Sequence, residues 1–307
     1  MGQPVKPSSS NWFIEQQTPN SAHMYCISSV YYLGKTKFQD VAILELPDLG
    51  KTLVLDGKVQ SSIRDEYIYH ETLVQPIMLT HPNPRSVLVI GGGEGATLRE
   101  VLKHNTVEEA VMVDLDEELI EITKKYLPEF HQGSFDDKRV RLVFGDGRKF
   151  VEECTPGRFD VVICDLTDPA AGSPAIMLYT LEFYRMVYGI LKEDGIMVTQ
   201  AESPSHTGRS FASIYKTIGE VFPITRAYTL YIQSFDAEWG FVLGSKRFDP
   251  LDLTEEEEAR RIEARGVNLR FYEPRIKRRL FTLPRNILEL MDRGVVSTDS
   301  NPVYEPV

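Results

Sequence analysis

The segment VLVIGGGEGATLREVL, residues 87–102, constrains the fold more than any other part of the chain. Four apolar residues typical of a buried strand lead into a glycine-rich turn, and a helical pattern follows at once. Gly91 and Gly93 lack a Cβ atom, so the backbone can turn sharply and approach a ligand closely. Ala96 stands at the third glycine position of the dinucleotide-binding fingerprint. The segment therefore predicts a strand-turn-helix unit that fits a nucleoside site of the S-adenosylmethionine type better than a dinucleotide site.

The next predicted strand, AVMVD, ends in an acid at Asp114. Ligands of open α/β sheets bind at the carboxyl ends of the strands, where an acid after the second strand can accept hydrogen bonds from ribose hydroxyls. Asp116 competes for this role, and one of the two is expected to be only the N-cap of the following helix. We favour Asp114 because it lies at the end of the strand. The acid distinguishes a nucleoside site from a plain strand-to-helix turn, which the glycines alone would also fit.

The order of the remaining patterns predicts two domains. Residues 11–63 contain short β-rich stretches separated by turns, including the hairpin signal Asp56-Gly57, whereas the polar residues 1–10 are predicted to be disordered. Strands and helices alternate through much of residues 64–307, which indicates a parallel sheet covered on both faces. The predicted fold class is α/β: a small N-terminal antiparallel β domain followed by a Rossmann-like, S-adenosylmethionine-methyltransferase-type doubly wound sheet. A final antiparallel pair, with the loop SFDAEW at 234–239, is expected near the end of this sheet.

Composition excludes several classes of protein. The chain has 307 residues and a net charge of −11, without the basic footprint that is typical of nucleic-acid binders. It has no run of 18 apolar residues, its N-terminus is unlike a secretory signal, and its three cysteines form no metal motif, so we expect a cytoplasmic protein. The charged runs EEEE (255–258) and RIKRRL (275–280) are interpreted as solvated helix faces.

Acidic residues collect where the predicted strands end. Asp165 closes the strand FDVVICD, Asp168 follows in the next loop, Glu94 lies in the glycine turn and Asp146 follows another strand. Two of them have an ordinary alternative, because Asp168 precedes a proline and suits a turn while Asp146 suits an N-cap. Their convergence at one edge of the sheet predicts an anionic cluster for a positively charged nucleoside or a cationic second substrate.

With these motifs, the chain resembles the spermidine synthase family, the polyamine aminopropyltransferases, from Trp12 to its C-terminus. The matching motifs are KFQD (37–40), LVLDGKVQ (53–60), RDEYIYHE (64–71), VLVIGGGEGATLREVLKH (87–104), GDGR (145–148), DLTDPAAGSP (165–174), LYTLEFY (178–184), GIMVTQ (195–200) and WGFVLGSK (239–246). The resemblance implies transfer of the aminopropyl group of decarboxylated S-adenosylmethionine, a co-substrate, to a polyamine amine, with release of 5′-methylthioadenosine. We expect no cofactor, no metal ion, no nucleic-acid or membrane partner, and a homodimer or homotetramer.

The resemblance also implies roles for individual residues. Asp165 would accept the proton and Asp168 would act beside it in the amine-binding loop. The implied donor-binding residues are Gln39, Gly91, Gly93, Asp114, Asp146, Gly147 and Pro174. The implied polyamine-binding residues are Gln60, Tyr69, His70, Glu94, Gln200, Asp236, Glu238 and Trp239. An alternative for His70 is a structural helix histidine.

Two departures from the commonest family pattern bear on the acceptor. The glycine loop, which in spermidine synthases usually ends in Asp-Gly-Gly, reads Glu94-Gly95-Ala96, and residues 233–239 lack the Tyr-Pro pair of putrescine-using members. Both features resemble thermospermine synthases, so spermidine is the favoured acceptor, with agmatine or putrescine as alternatives. A methyltransferase of the same fold and a non-catalytic polyamine-binding module are the rival functions. The acid-lined pocket argues against the first, and the pair Asp165 and Asp168 argues against the second.

Overall fold

The computed structural model describes residues 11–18, 20–205 and 207–304, so the predicted disorder of residues 1–10 lies outside the described residues. The strands are β1 (Trp12–Thr18), β2 (Ser21–Cys26), β3 (Ser29–Lys35), β4 (Asp40–Leu46), β5 (Gly50–Leu55), β6 (Lys58–Ser62), β7 (Ser86–Gly91), β8 (Glu109–Asp114), β9 (Val140–Phe144), β10 (Phe159–Asp165), β11 (Leu191–Gln200), β12 (Ile224–Ile232) and β13 (Ala237–Ser245). The α-helices are α1 (Glu66–Thr80), α2 (Ala96–Leu102), α3 (Glu117–Tyr126), α4 (Pro128–His131), α5 (Gly147–Glu152), α6 (Leu181–Ile190), α7 (Arg209–Gly219), α8 (Glu255–Arg265), α9 (Pro274–Leu280) and α10 (Arg285–Met291).

The N-terminal region consists of the β1–β2 hairpin and the antiparallel sheet β3-β4-β5-β6. The predicted Asp-Gly turn joins β5 to β6, where Asp56 and Gly57 both have positive φ, as a type I′ turn requires. Ile43 and Leu53 of this sheet pack against Leu119 and Phe130 of the second region. The N-terminal sheet therefore lies over the start of α3, beside the end of β8. The domain boundary at residue 63 remains a prediction.

The second region is built on one seven-stranded sheet in the order β12-β13-β11-β10-β7-β8-β9. The strands β7 to β11 are parallel, and β12 and β13 run antiparallel at one edge. Val87 and Val89 point into the core beneath α1, whereas Leu88 and Ile90 point into the core beneath α6 and α7. The α/β fold class is confirmed. The strand order reverses between β7 and β10, and such a switch point is where open α/β sheets bind ligands.

The final antiparallel pair is confirmed, but the predicted loop at 234–239 is too long. The β12–β13 pairing continues to Ile232 opposite Ala237. A single 3-10 turn, Gln233–Phe235, and the left-handed residue Asp236 close the hairpin. Glu238 and Trp239 therefore lie on β13 rather than in a loop, and as neighbours on a strand they point to opposite faces of the sheet.

Helix α1 is buried over almost its whole length, including the polar residues Glu66, His70, Glu71 and Gln75. It is packed between the sheet and α8, so these side chains must find hydrogen-bond partners inside the protein. Among the described residues, no helix combines the length and the apolar character needed to span a membrane. The cytoplasmic location remains a prediction.

Candidate active site

The glycine turn follows β7 and separates two acids, Asp165 and Asp114, that end the strands on either side of β7. Gly91 has a φ of +80°, and a Cβ atom at that position would lie 2.2 Å from the carbonyl oxygen of Asp165. The amide of Gly92 donates to the same carbonyl at 2.9 Å. On the other side of the turn, a Cβ atom at Gly93 would lie 3.3 Å from Asp114 Oδ2. The close approach to Asp165 therefore requires a glycine at position 91, and a side chain at position 93 would crowd Asp114.

At the end of β8, the structure separates the roles of Asp114 and Asp116, the two acids that compete for the ribose. Asp116 is the N-cap of α3 and accepts a hydrogen bond from the amide of Leu119 at 3.1 Å. Its other oxygen accepts hydrogen bonds from Thr36 at 2.6 Å and from Gln39 Nε2 at 2.8 Å. Asp114 Oδ1 accepts the amide of Asp116 at 2.9 Å, while Oδ2 faces Gly93. This arrangement leaves Asp114, rather than Asp116, as the acid at the sheet edge, and it brings Gln39 to the same place.

Asp114 lies in a strongly acidic environment. Burial, together with the charges of Asp116, Glu94 and Asp165, raises the pKa of Asp114 to about 7, although the hydrogen bond from the amide of Asp116 acts in the opposite direction. A carboxyl group with such a pKa changes its charge near neutral pH, so we expect any ligand that requires the ionised form to bind in a pH-dependent way.

Asp146, Gly147 and Pro174 lie beside this end of the sheet. Asp146 is exposed and caps α5 by accepting the amides of Arg148 and Lys149, as its ordinary interpretation predicts. Gly147 is buried, and a Cβ atom there would lie 2.6 Å from Ile90 Cγ2. Pro174 is exposed and begins a 3-10 turn.

Sequence reasoning missed the contacts that secure this part of the site. Arg148 of the GDGR motif forms a bidentate ion pair with Asp299, near the C-terminus, with distances of 2.9 and 2.5 Å. It also donates to the carbonyl of Met177 at 2.8 Å. Asp299 is 151 residues away in sequence, so no local pattern could have indicated the pair.

At the end of β10, the carboxylate of Asp165 is held from both sides. Tyr69 of α1 donates to Oδ1 at 2.9 Å, and Thr97 of α2 donates to Oδ2 at 2.6 Å. The Asp165 side chain is only 8% exposed. Burial and the charge of Glu94 raise the pKa of Asp165, whereas His70 and the two hydroxyl donors lower it. Both side chains that fix this carboxylate are donors, so they stabilise its ionised form.

His70 links the acids of this region. Its Nδ1 lies 2.6 Å from the carbonyl and 3.2 Å from the carboxylate of Glu66, and its Nε2 lies 3.0 Å from Glu94 Oε1 and 4.0 Å from Asp165 Oδ2. Burial lowers the pKa of His70, but the hydrogen bonds and charges of Glu66 and Glu94 outweigh it and raise the pKa to about 10. Oxygen atoms at both ring nitrogens favour the protonated form of His70, in which both nitrogens donate. His70 thus contacts Glu66 within its own helix and Glu94 at the site, so a structural position and a position in the site are compatible for this residue.

Arg99 extends this network away from the site. Its guanidinium pairs with Glu66 at 2.8 Å and with Glu100 at 2.9 Å, and both carboxylates are almost fully buried. Positive and negative charges thus alternate along Arg99, Glu66, His70 and Glu94. Buried charges are tolerated when they are paired in this way.

Asp168 and Gln200 lie on the other side of Asp165. Gln200 is buried, and its amide nitrogen donates to the carbonyl of Leu166 at 3.0 Å, to Asp168 Oδ1 at 3.2 Å and to the hydroxyl of Tyr179 at 2.7 Å. Its amide oxygen accepts the amide of Glu202 at 2.9 Å. These contacts indicate that Gln200 positions the loop that carries Asp168.

Aromatic side chains extend outward from Asp165. Tyr69 contacts the ring of Phe235 at a centroid distance of 5.8 Å, and Phe235 contacts Trp239 at 4.6 Å. Phe235 was not predicted as a site residue. Asp236, next to it, is exposed, accepts the hydroxyl of Tyr231 at 2.6 Å and faces His23 at 3.7 Å.

The other two predicted polyamine-binding residues, Gln60 and Glu238, lie on strands of two different sheets. Gln60 is half-buried on β6, and its amide donates to the carbonyl of Lys58 at 3.4 Å. Glu238 lies on β13 opposite Tyr231, on the face turned away from Trp239. The structure thus brings Asp165, Glu94, His70 and Tyr69 into one cluster, with Asp236 at the edge of the molecule. The roles of all these residues remain predictions.

Two clusters in the described part of the chain have metal-ligand types at suitable distances: His70, Glu94 and Asp165, and His81, Asp160 and Asp194. In the first, both ring nitrogens of His70 already face oxygen atoms of the protein, at 2.6 Å and 3.0 Å. In the second, His81 Nδ1 accepts the amide of Asn83, which leaves the proton on Nε2, and Asp160 pairs with Lys192 at 2.9 Å. Both clusters therefore suit hydrogen bonding, and the absence of a metal site remains a prediction.

Comparisons with known proteins agree with this geometry. The profile described as "Spermine/spermidine synthase domain" matches residues 66–253, and the one described as "Spermidine synthase tetramerisation domain" matches residues 11–62. A protein of Hyperthermus butylicus named polyamine aminopropyltransferase 2 is 50% identical over 92% of both chains. The polyamine aminopropyltransferase of Saccharolobus solfataricus is 49% identical over 96% of this chain and 98% of its own.

Solved structures support the same assignment. A crystal structure of spermidine synthase in complex with the transition state analogue AdoDATO has a TM-score of 0.87 and 35% identity, and the match covers 95% of this chain and 98% of that one. Spermidine synthase from Thermotoga maritima gives a TM-score of 0.86 and 36% identity over the same shares. The resemblance found in the sequence is therefore confirmed, and the chain belongs to the spermine/spermidine synthase family.

Proposed function

We propose that this protein transfers the aminopropyl group of decarboxylated S-adenosylmethionine to an amine nitrogen of a polyamine and releases 5′-methylthioadenosine. The observation that carries the proposal is the position of two acids on either side of one glycine turn. Asp114 faces Gly93, and Asp165 lies against Gly91 and Gly92. A nucleoside held at Asp114 would place its sulfonium close to the carboxylates of Asp165 and Glu94.

The chemistry requires this set of groups. A sulfonium is already an activated leaving group, whereas an amine with a pKa near 10.4 must lose a proton before attack, at a cost of about 4–5 kcal/mol at pH 7. The new C–N bond forms as the C–S bond breaks, and Asp165 accepts the proton released from the amine nitrogen. Glu94 pairs with the ammonium and aligns it, which contributes further acceleration. The raised pKa of Asp165 favours its acceptance of the proton.

The proposed reaction needs no metal ion or cofactor, because decarboxylated S-adenosylmethionine is itself the activated co-substrate. We expect turnover to be unchanged after exhaustive treatment with EDTA. Activity that is lost on chelation and restored by a divalent cation would contradict this part of the proposal.

Spermidine is the proposed acceptor, which would give a tetraamine of the spermine or thermospermine type. Glu94 supplies a buried carboxylate beside Asp165, and Asp236 supplies an exposed one beyond the ring of Phe235. A triamine offers cationic groups for both carboxylates, whereas putrescine has two amines a short distance apart. Agmatine is the main alternative, because a guanidinium can pair with a carboxylate through two hydrogen bonds.

A competition assay tests the proposal. The purified protein is supplied with decarboxylated S-adenosylmethionine and equal concentrations of putrescine, agmatine, spermidine and spermine, and products are resolved by mass. We expect 5′-methylthioadenosine in equal amount to the aminopropylated amine, with the tetraamine as the main product. Preferred use of putrescine would overturn the acceptor assignment. Failure to form 5′-methylthioadenosine with any amine, or methylated products from S-adenosylmethionine, would overturn the reaction.

We also propose that the protein is a homodimer or homotetramer formed through its N-terminal region. Large apolar side chains there are exposed, including Ile14 at 58%, Met24 at 57% and Leu33 at 78%. Clusters of exposed apolar side chains commonly mark protein interfaces. Light scattering should give a mass two or four times that of the chain, and Ile14→Asp with Leu33→Asp should reduce it. A monomeric wild-type protein would contradict the proposal.

A further inference from the structure

Thr97 contacts the proposed proton acceptor from a position that the predicted site did not include. Its hydroxyl donates to Asp165 Oδ2 at 2.6 Å, and the side chain is fully buried at the start of α2. A hydroxyl has one proton to donate, so this proton is committed to Asp165. Tyr69 donates to the other oxygen at 2.9 Å. A Cβ atom at Gly92 would lie 3.1 Å from Oδ2, so the glycine keeps space beside this oxygen open.

The ionisation of Asp165 depends on opposing influences from several elements. Glu94 of the glycine turn and burial raise its pKa, whereas His70 of α1 and the hydroxyls of Thr97 and Tyr69 lower it. The titratable groups that interact with Asp165 from the elements around it are Tyr69, His70, Glu94, Asp114 and Cys164. A carboxyl group that is already protonated cannot accept the proton of the amine, so each donor that favours the ionised form should support catalysis.

We propose that Thr97 is a positioning residue for the aminopropyl transfer, an inference that rests on the function proposed above. Its hydroxyl keeps Asp165 ionised beside Glu94 and, together with Tyr69, fixes the plane of the carboxylate. Thr97 keeps its own proton throughout, and the proton of the attacking amine passes to Asp165.

The test compares pH profiles of kcat/KM for the acceptor in wild-type protein, Thr97→Val and Thr97→Ser. Valine matches threonine in shape but lacks the hydroxyl. The acidic limb, the pH range in which kcat/KM falls as Asp165 becomes protonated, should therefore move up by about one pH unit. This shift corresponds to the free energy of about one hydrogen bond to a carboxylate. Activity should then fall about tenfold at pH values below the limb, with a smaller loss on the alkaline plateau. Serine restores the donor and should restore the wild-type limb.

The controls separate this role from a structural one. Thr72 is also fully buried, but its hydroxyl has no hydrogen-bond partner among the described residues, so Thr72→Val should leave the limb in place. Affinity for 5′-methylthioadenosine should be unchanged in Thr97→Val. If that variant fails to fold, Thr97→Ala removes the same hydroxyl and replaces it in the test.

Three results would overturn the role of Thr97: an unshifted limb in Thr97→Val, a loss by the same factor at every pH, or a shift that serine does not reverse. These results would leave the proposed function intact, provided that the wild-type protein forms 5′-methylthioadenosine. If the wild-type protein forms none with any amine, the proposed function itself fails.

Discussion

The donor end of the candidate site, around Asp114, and the amine end, around Asp165, use acids in different ways. At the donor end, Asp114 accepts an amide from two residues away and Asp116 accepts one from three residues away. At the amine end, Asp165 is held by side chains that are 96 and 68 residues away in sequence. Nearby backbone amides thus hold both acids of the donor end, where Asp116 also accepts long-range hydrogen bonds from Thr36 and Gln39. At the amine end, the two hydrogen bonds to the Asp165 carboxylate both come from distant side chains.

The electrostatics of the two ends differ in the same way. Asp116 and Asp146 cap helix N-termini, where amides and the helix dipole stabilise negative charge. The amine end instead depends on the buried chain of charges from Arg99 through Glu66 to His70. Removing one member of such a chain leaves its partner buried and unpaired, which is costly. The amine end should therefore tolerate substitution less well, and its substitutions should affect turnover rather than nucleoside binding.

The largest effect is expected at the amine end. Asp165→Asn should lower kcat by about 100-fold or more, because the proton acceptor is lost, while 5′-methylthioadenosine affinity stays close to wild type. Steady-state kinetics and calorimetry on the same preparation measure both quantities. Asp194→Asn, at the opposite edge of the sheet, serves as the control and should retain activity. Near wild-type turnover of Asp165→Asn would contradict the assignment of proton transfer to the amine end.

At the donor end, Asp114→Ala should weaken 5′-methylthioadenosine binding by about 1.5–3 kcal/mol, the range for hydrogen bonds to a charged group. Calorimetry of the ligand-free protein measures the loss, and Asp168→Asn, at the amine end, should show none. An unchanged affinity in Asp114→Ala would mean that Asp116 or another residue binds the ribose.

The pH dependence of nucleoside binding should sharpen the comparison. Asp114 has a pKa of about 7 in the empty site, and ribose hydroxyls prefer its ionised form. Affinity for 5′-methylthioadenosine should therefore rise with pH, by about tenfold from pH 6 to pH 8, in proportion to the ionised fraction. Calorimetry at a series of pH values measures this slope, which should disappear in Asp114→Asn. A slope that persists in the variant would assign the titration to another group.

The smallest effect concerns the outer rim of the amine end. Combining Asp236→Asn with Glu238→Gln should reduce kcat/KM for spermidine by a few-fold more than for putrescine, because exposed ion pairs contribute about 1 kcal/mol or less. Parallel kinetics with the two amines measures the ratio. Equal losses for both amines would show that these acids do not sense acceptor length. Since Glu238 lies on the far face of β13, Asp236→Asn alone should account for most of the effect.

The parts of the fold that can be predicted from sequence depend on local rules. The turn at Gly91 and Gly93 and the hairpin at Asp56-Gly57 follow from backbone conformations that few residues adopt. The strand ends at Asp114 and Asp165 follow from apolar runs that stop at an acid. Because ligands of open α/β sheets bind outside the carboxyl ends of the strands, these local features are enough to predict that both ends of the site share one edge of the sheet.

The parts that could not be predicted depend on packing between distant segments. The charged runs EEEE and RIKRRL predict solvated helix faces, but Glu258 and Lys277 are buried and pair at 2.7 Å, because α8 and α9 pack together there. The hydroxyl of Thr97 and the amide of Gln200 also find partners across the chain. The spacing of apolar residues along the sequence indicates which face of a helix or strand is buried, but it does not identify the partner of a buried polar group.

A crystal structure with 5′-methylthioadenosine and spermidine bound together tests the division of the site into a donor end and an amine end most directly. The account predicts ribose hydroxyls within hydrogen-bond distance of the Asp114 carboxylate, and an amine nitrogen about 3 Å from an Asp165 oxygen and facing the sulfur side of the nucleoside. A ribose bound away from Asp114, or an amine that reaches neither Asp165 nor Glu94, would contradict it.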